Sequence, residues 1–480
     1  MPLSTRLTYW IPALLASALG TWILYDAHPG INWGLWVATT SIGLIACRLL
    51  THAPLRNHTM VLLGWATMLA FAQSFTGVPV HAPLIIASVA ILLGLAVTTL
   101  DDSASGIGLP SVAQVPFTAL SRVARQSAME LLAIPANARS LRNRPALRGA
   151  LFAIPIVLLL AALLSRADPL LDSVRTTLLG WLDHWELDGH VIFFIVLAAI
   201  TVGAYGLASH DRKQLPPLIG EVPPPFRITA TETRVILGSV NVVLWIFVLL
   251  QLFSLTRNPG GTAGTGFTYA EYARRGFAEL SVAAAIVLGV ILFTEVFRVP
   301  GPNSGRPRFD LTAILAVELI LASAFHRVLL YEAAYGYTTD RLIAQAYMLV
   351  LACAFIALAW DLSRGGISAA FGRRGMALTL TALTVFTYWN YESWVVRENL
   401  ERARNGGRLD LVYLESLSLA AVPALIEGRS RMTASQSADL DDNLRCRKVA
   451  DAPHWYEWNL RRENARAALA PFAGKCSRGD

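Results

Sequence analysis

Charge is scarce in this chain. Asp, Glu, Lys and Arg make up only 15% of its 480 residues, where soluble domains carry about a quarter. With 54% hydrophobic residues and a mean hydropathy of +0.48, that scarcity excludes an ordinary water-soluble domain. Cysteine is also rare. The four present show no C-x-x-C spacing, and the nine histidines are scattered with no H-E-x-x-H, so no metal site is legible and no cofactor is expected. No G-x-S-x-G occurs to form a nucleophile elbow. The glycine-rich stretch "NPGGTAGTGF" lacks a following Lys-Ser or Lys-Thr, so it reads as a flexible loop rather than a phosphate cradle.

What the chain does have is apolar runs, each about long enough to cross roughly 30 Å of hydrocarbon as a helix. About eleven spans are expected, near 9–25, 33–50, 59–76, 80–100, 149–165, 189–208, 234–255, 277–297, 311–332, 342–362 and 375–395. The first run reads as an uncleaved helix rather than a signal peptide, because Pro12 interrupts a short apolar stretch and further spans follow. The expected fold is all-α: a polytopic transmembrane helix bundle with a small C-terminal helical module.

The net charge of +7 does not point to nucleic acid. The basic residues cluster in short loops between apolar runs, with no nucleic-acid-reading motif beside them. If the N-terminus is cytoplasmic, the inner loops hold Arg48, Arg56, Arg122, Arg125, Arg139, Arg142, Arg144, Arg148, Arg212, Lys213, Arg227, Arg234, Arg298, Arg306, Arg308, Arg364, Arg373 and Arg374. The opposite loops hold Arg166, Arg175, Arg257, Arg274, Arg275 and Arg341. This bias predicts a cytoplasmic N-terminus in the inner (plasma) membrane and, with an odd span count, an extracytoplasmic C-terminal module.

Three regions follow: 1–148, a four-span region with a basic inner loop; 149–395, a seven-span core; and 396–480, the C-terminal module. Two loops carry amphipathic stripes. Leu170, Val174, Leu178, Trp181 and Trp185 share one face of "DPLLDSVRTTLLGWLDHW", and the stretch from Val112 to Ile134 places Arg122 and Arg125 on its polar side. Each fits a helix lying on a leaflet or one packed on the protein itself. "LPPLIGEVPPPFR" is a stiff proline-rich loop. "VRENLERARNGG" is a helix stopped by paired glycines.

Two groups of residues invite chemistry. In "TYAEYARRGFAEL", Glu271, Arg275 and Glu279 form an i,i+4 ladder. Arg274 and Arg275, with Tyr269 and Tyr272 at headgroup level, are candidate contacts for an outer anion or lipid; an ion-paired collar is the structural reading. Within one span, Glu318, His326 and Arg327 form a candidate polar cluster, either a relay or anion site or interhelical glue. In "TYWNYESWVV", Asn390 and Glu392 read as part of an aromatic belt. Cys446 and Cys476 lie outside the spans, where an oxidising compartment could bridge them, closing a loop of about 30 residues worth roughly 3 kcal/mol.

The motifs "SRADPLLDS", "TETRVILGSVNVVLWIFVLLQL", "FTYAEYARRGFAEL", "YEAAYGYTTDRLIAQAYML", "NLERARNGGRLDLVYLESLSLAAVPAL" and "WNLRRENARAAL" resemble a bacterial membrane family known as a domain of unknown function, numbered 4153, with 4173 a relative. The resemblance implies an integral envelope protein with a helical tail and assigns no activity or catalytic residues. Three classes remain. The first is a non-enzymatic binding, sensing or accessory protein of the envelope, with membrane lipids and another envelope protein as partners and no nucleic acid. The second is a secondary transporter, and the third a membrane-embedded transferase acting on lipid-linked substrates.

Overall fold

The computed structural model describes residues 3–78, 81–100, 109–132, 189–209, 228–257, 277–297 and 309–472. Helices dominate them, and no β-strand occurs among them. In chain order they are α1 (Leu3–Leu24), α2 (Ile31–Leu50), α3 (Asn57–Phe71), α4 (His81–Thr98), α5 (Leu109–Leu132), α6 (Gly189–Ser209), α7 (Ala230–Arg257) and α8 (Phe277–Phe297). Then come α9 (Phe309–Tyr335), α10 (Thr339–Ser363), α11 (Ala369–Tyr388), α12 (Tyr391–Arg404), α13 (Leu411–Ser416), α14 (Val422–Gly428), α15 (Ala434–Cys446) and α16 (Leu460–Leu469).

Seven of these are long and apolar enough to cross a membrane: residues Leu7–Leu24, Ile31–Leu50, His81–Thr98, Gly189–Ser209, Ala230–Phe253, Phe309–Tyr335 and Thr339–Ser363. In α8 a shorter apolar segment covers Ala283–Glu295. The expected span 149–165 lies outside the described residues, as do the stripe at 168–185 and the loop at 215–227. Two other expected spans are cut short. The helix expected to reach residue 76 gives way at Ala72–Ser74 to a 3-10 turn. The one expected to run from 375 to 395 stops at Tyr388, and a new helix starts at Tyr391. Asn390 causes that second break, because its side chain accepts from the Ser393 N–H and so caps the new helix.

Packing gathers the long helices into two apolar cores. One unites α1 to α4 with α6 around Val37, Leu69, Leu92 and Tyr205. The other unites α7 to α10 around Ile291, Val317, Leu321 and Phe355. Small residues and hydroxyls join the helices closely, as lipid-embedded packing requires. Ser17 of α1 meets Thr201 of α6 at 2.7 Å, and the Tyr205 hydroxyl donates to the Thr40 carbonyl of α2 at 2.9 Å. In the second core Asn241 of α7 donates to the Phe309 carbonyl at 2.7 Å and accepts from Thr312 at 2.8 Å. Arg48, placed in a loop by the charge pattern, is fully buried. It donates to the carbonyls of Ala208, Pro54 and Leu100, near the C-terminal ends of α4 and α6, a favourable place for a cation. The amphipathic helix α5 packs on α6, with the Ser127 hydroxyl donating to the Ala199 carbonyl at 2.5 Å.

A third core belongs to the C-terminal module, where Val395, Leu400, Leu425, Leu440, Leu444 and Ala465 are buried together. The paired glycines end α12 as expected. Gly406 takes φ +88°, and the N–H groups of Gly406 and Gly407 return to the carbonyls of Ala403 and Arg402, a Schellman closure.

Candidate functional site

The module sits on one end of both helix groups, and short polar contacts hold it there. On the side of α9 and α10, Gly336 turns the chain at φ +89°, and a Cβ there would lie 2.2 Å from the Asn399 side-chain oxygen. Asn399 of α12 accepts from the Tyr337 N–H at 3.0 Å and donates to the Tyr337 carbonyl at 2.8 Å. The Tyr413 hydroxyl accepts from the Thr339 N–H at 2.7 Å.

On the side of α1 to α4, the stretch Trp458–Arg462 makes the contacts. The Trp458 carbonyl accepts from the Ile31 N–H at 3.0 Å. Asn459 donates to the carbonyls of Gln73 and Thr76 at 2.7 and 2.9 Å, while its oxygen caps α16 by accepting from the Arg461 and Arg462 N–H groups. Arg461 donates to the carbonyls of Phe75 and Tyr388 at 2.9 and 3.0 Å. Arg462 reaches the Pro29 carbonyl at 2.9 Å. Gly30 is required at this seam, since a Cβ there would stand 2.5 Å from the Glu457 carbonyl oxygen and 2.6 Å from that of Trp458.

Between the two sides lies the break at Trp389–Asn390. Asn390 and Ser393 both donate to the Ala420 carbonyl. Glu392 is buried and accepts from the N–H and hydroxyl of Ser418. Burial holds its carboxyl above the usual range, opposed by the Ser418 bonds and by the nearby Arg447 charge. Arg447 itself donates to the carbonyls of Glu415 and Leu417. His81 bridges the Thr76 and Tyr391 hydroxyls at 3.1 Å each. A narrow cleft with room for about one water lies here, lined among others by Phe75, Thr76, Trp389, Asn390, Tyr391 and Arg461.

The residues singled out from the sequence fall elsewhere. Tyr269, Tyr272, Arg274 and Arg275 lie outside the described residues, as does Cys476; Cys446 is the last residue of α15. Glu318, His326 and Arg327 all sit on α9, but no hydrogen bond or ion pair joins them. Glu318 is half-buried, with one carboxyl oxygen lacking any hydrogen-bond partner, whereas His326 is exposed on the helix surface. Among the described residues, no three His, Cys, Asp or Glu side chains converge as metal ligands would.

Asn399, Asn459, Arg461 and Arg462 escaped the sequence reading as site residues, although each lies inside a family-like motif. One signal was available. Arg461 and Arg462 occupy the first turn of α16, where a cation opposes the helix dipole and therefore needs another reason to be present.

The description "Domain of unknown function (DUF4153)" matches residues 13–428, and the chain belongs to that family. No curated protein and no solved structure matches it. The match ends inside the module, at the end of α14, so the helix bearing Asn459, Arg461 and Arg462 lies beyond it. The apolar helices and the family together identify a membrane protein whose family description assigns no activity.

Proposed function

We propose that this family member is a non-enzymatic, multi-pass protein of the bacterial inner membrane, acting as a binding or sensing protein or as an accessory to a membrane complex. The C-terminal module is its reading part. The observation that carries this is the double docking of the module: Asn399 ties it to the α9–α10 turn, and Asn459 ties it to the segment before α4. A ligand or partner that displaced the module would therefore act on both helix groups at once, as a sensor requires.

The charge asymmetry supports an extracytoplasmic module. A single cysteine replacing Ser435 should react with an impermeant maleimide from outside intact cells, and one replacing Ser304 should not; the reverse labelling would overturn this orientation. A second reading, secondary transport, is favoured by Glu318, because an unsatisfied carboxyl oxygen among membrane helices is costly and commonly functional. Proteoliposomes containing a pH-sensitive dye decide between the two. Binding or sensing predicts no protein-dependent proton flux under an imposed gradient, whereas flux abolished by Glu318→Gln would replace it with transport.

A further inference from the structure

The spanning helix α1 has two unlike faces. Ala13, Ala16, Ser17 and Ile23 are buried against its neighbours, whereas Leu7, Ile11, Leu15 and Trp22 are exposed along the other side. Those four recur at helical spacing and carry no charge, so they form the lipid-facing stripe of the span. Trp22, 60% exposed, closes the stripe near the end of α1 at Leu24, where a span leaves the hydrocarbon and tryptophan is enriched. The module meets the stripe at this point. Tyr456 packs edge-on against Trp22, with ring centroids 5.7 Å apart, and is buried beneath the stacked His454 ring. Its neighbour Trp455 is 67% exposed, and Trp458 is 39% exposed. The 3-10 turn Trp455–Glu457 that presents them is fixed to the seam. The Trp458 carbonyl accepts from the Ile31 N–H, and the Glu457 carbonyl accepts from Arg462. A single exposed tryptophan on a soluble surface is ordinary. Here the exposed indoles adjoin the end of a lipid-facing stripe. An indole suits the headgroup layer, because its ring is apolar and its N–H donates.

We propose that the Trp455–Trp458 edge of the module lies in the headgroup layer of the adjoining leaflet, where Trp22, Trp455 and Trp458 form one aromatic belt. The partner of this surface is the lipid bilayer, reached by continuity with the stripe on α1. The module is then held by lipid along this edge as well as by Asn399 and Asn459 at its seams. The lipid contact goes beyond the proposed function and stands whatever the module reads; it rests only on α1 spanning the membrane.

The test uses the full wild-type chain in vesicles of phosphatidylethanolamine and phosphatidylglycerol that contain a photoactivatable phospholipid. One probe carries its diazirine on the headgroup and another at the end of an acyl chain, and mass spectrometry locates the labelled residues. The headgroup probe should label Trp455 to within about twofold of Trp22, and well above α15, whose Leu440 and Leu444 face the module's own core. The chain-end probe should label Ile11 and Leu15 but not Trp455. Headgroup labelling of Trp455 no greater than that of α15 overturns the proposal. Hydroxyl-radical oxidation of the same vesicles then identifies what replaces lipid: rapid oxidation leaves Trp455 in water, and protection assigns it to a second copy of the chain. Failure of the chain-end probe to label Ile11 and Leu15 would instead overturn the spanning role of α1 on which the proposal rests. As a second measurement, Trp455→Ser should speed amide exchange at residues 455–458 in vesicles by about threefold or more, and Trp455→Tyr should stay near wild type, since tyrosine also favours this layer. Equal exchange in all three proteins would count against an anchoring contact.

Discussion

Replacing Asn459 by alanine probes the seam most directly, because one side chain performs two jobs there. Its oxygen caps α16, and its nitrogen donates to the carbonyls of Gln73 and Thr76. Losing a cap of this kind costs about 1 kcal/mol. Each lost donation to a buried carbonyl costs roughly 1 kcal/mol net, more if water cannot replace it. The residue is only 6% exposed, so water replaces little and the sum approaches about 3 kcal/mol. If the module opens locally, that corresponds to roughly 100-fold faster amide exchange across α16. Exchange in α9 and α10 should change little, because their contacts with the module run through Asn399 and Tyr413. Asn459→Asp separates the two jobs: it keeps an oxygen for the cap but cannot donate, so it should show most of the loss. Hydrogen exchange followed by mass spectrometry reads all three proteins. Faster exchange in α16 of less than about threefold for the alanine variant, or an aspartate variant matching wild type, would refute the assignment of the tether to this side chain.

Three further outcomes follow from the same geometry. Gly30→Ala should loosen the module without touching its own residues, because the new Cβ would meet the Glu457 and Trp458 carbonyl oxygens; protease resistance of the module equal to wild type would contradict this. Glu392 has its carboxyl pKa raised above the ordinary glutamate value of 4.5 by burial, so the folded state holds the proton more tightly than the unfolded state. Its contribution is therefore greatest below that value and lost as pH rises through the raised pKa. Relative to Glu392→Gln, wild type should lose thermal stability on passing upward through that window, and parallel pH profiles would reject the burial. Cys446 and Cys476 should be found linked by non-reducing mass spectrometry of protein taken directly from the envelope, stabilising the tail by about 3 kcal/mol in the chain-entropy model; free thiols at both positions would reject the bridge.

The helical membrane class was legible because it depends on run length and charge scarcity, which act along the chain. The Gly406 stop was legible for a related reason, since a glycine pair after a helix-forming run is a local signal. The break at Asn390 was not. Apolar residues continue past it from Phe386 to Val396, and length alone extends the span across it. The helix ends there because Asn390 finds both a capping role and the distant Ala420 carbonyl. Arg48 shows the opposite error. A lone arginine at the end of an apolar run reads as a loop cation, yet it is buried against carbonyls from residues 54, 100 and 208, contacts that no local pattern encodes.

The junction was hidden by the same nonlocality, but two residues in it broke a local rule. Asn459 is an ordinary N-cap, and any reading of "NLRRENARAAL" would start a helix there. The two arginines that follow are out of place on the helix dipole alone. Arg462 has a local explanation, since it reaches the Pro29 carbonyl and stands near the Glu457 charge. Arg461 is held by the carbonyls of Phe75 and Tyr388. Both arginines are held by carbonyls distant in sequence, which is why the role of neither could be read from the helix that carries them.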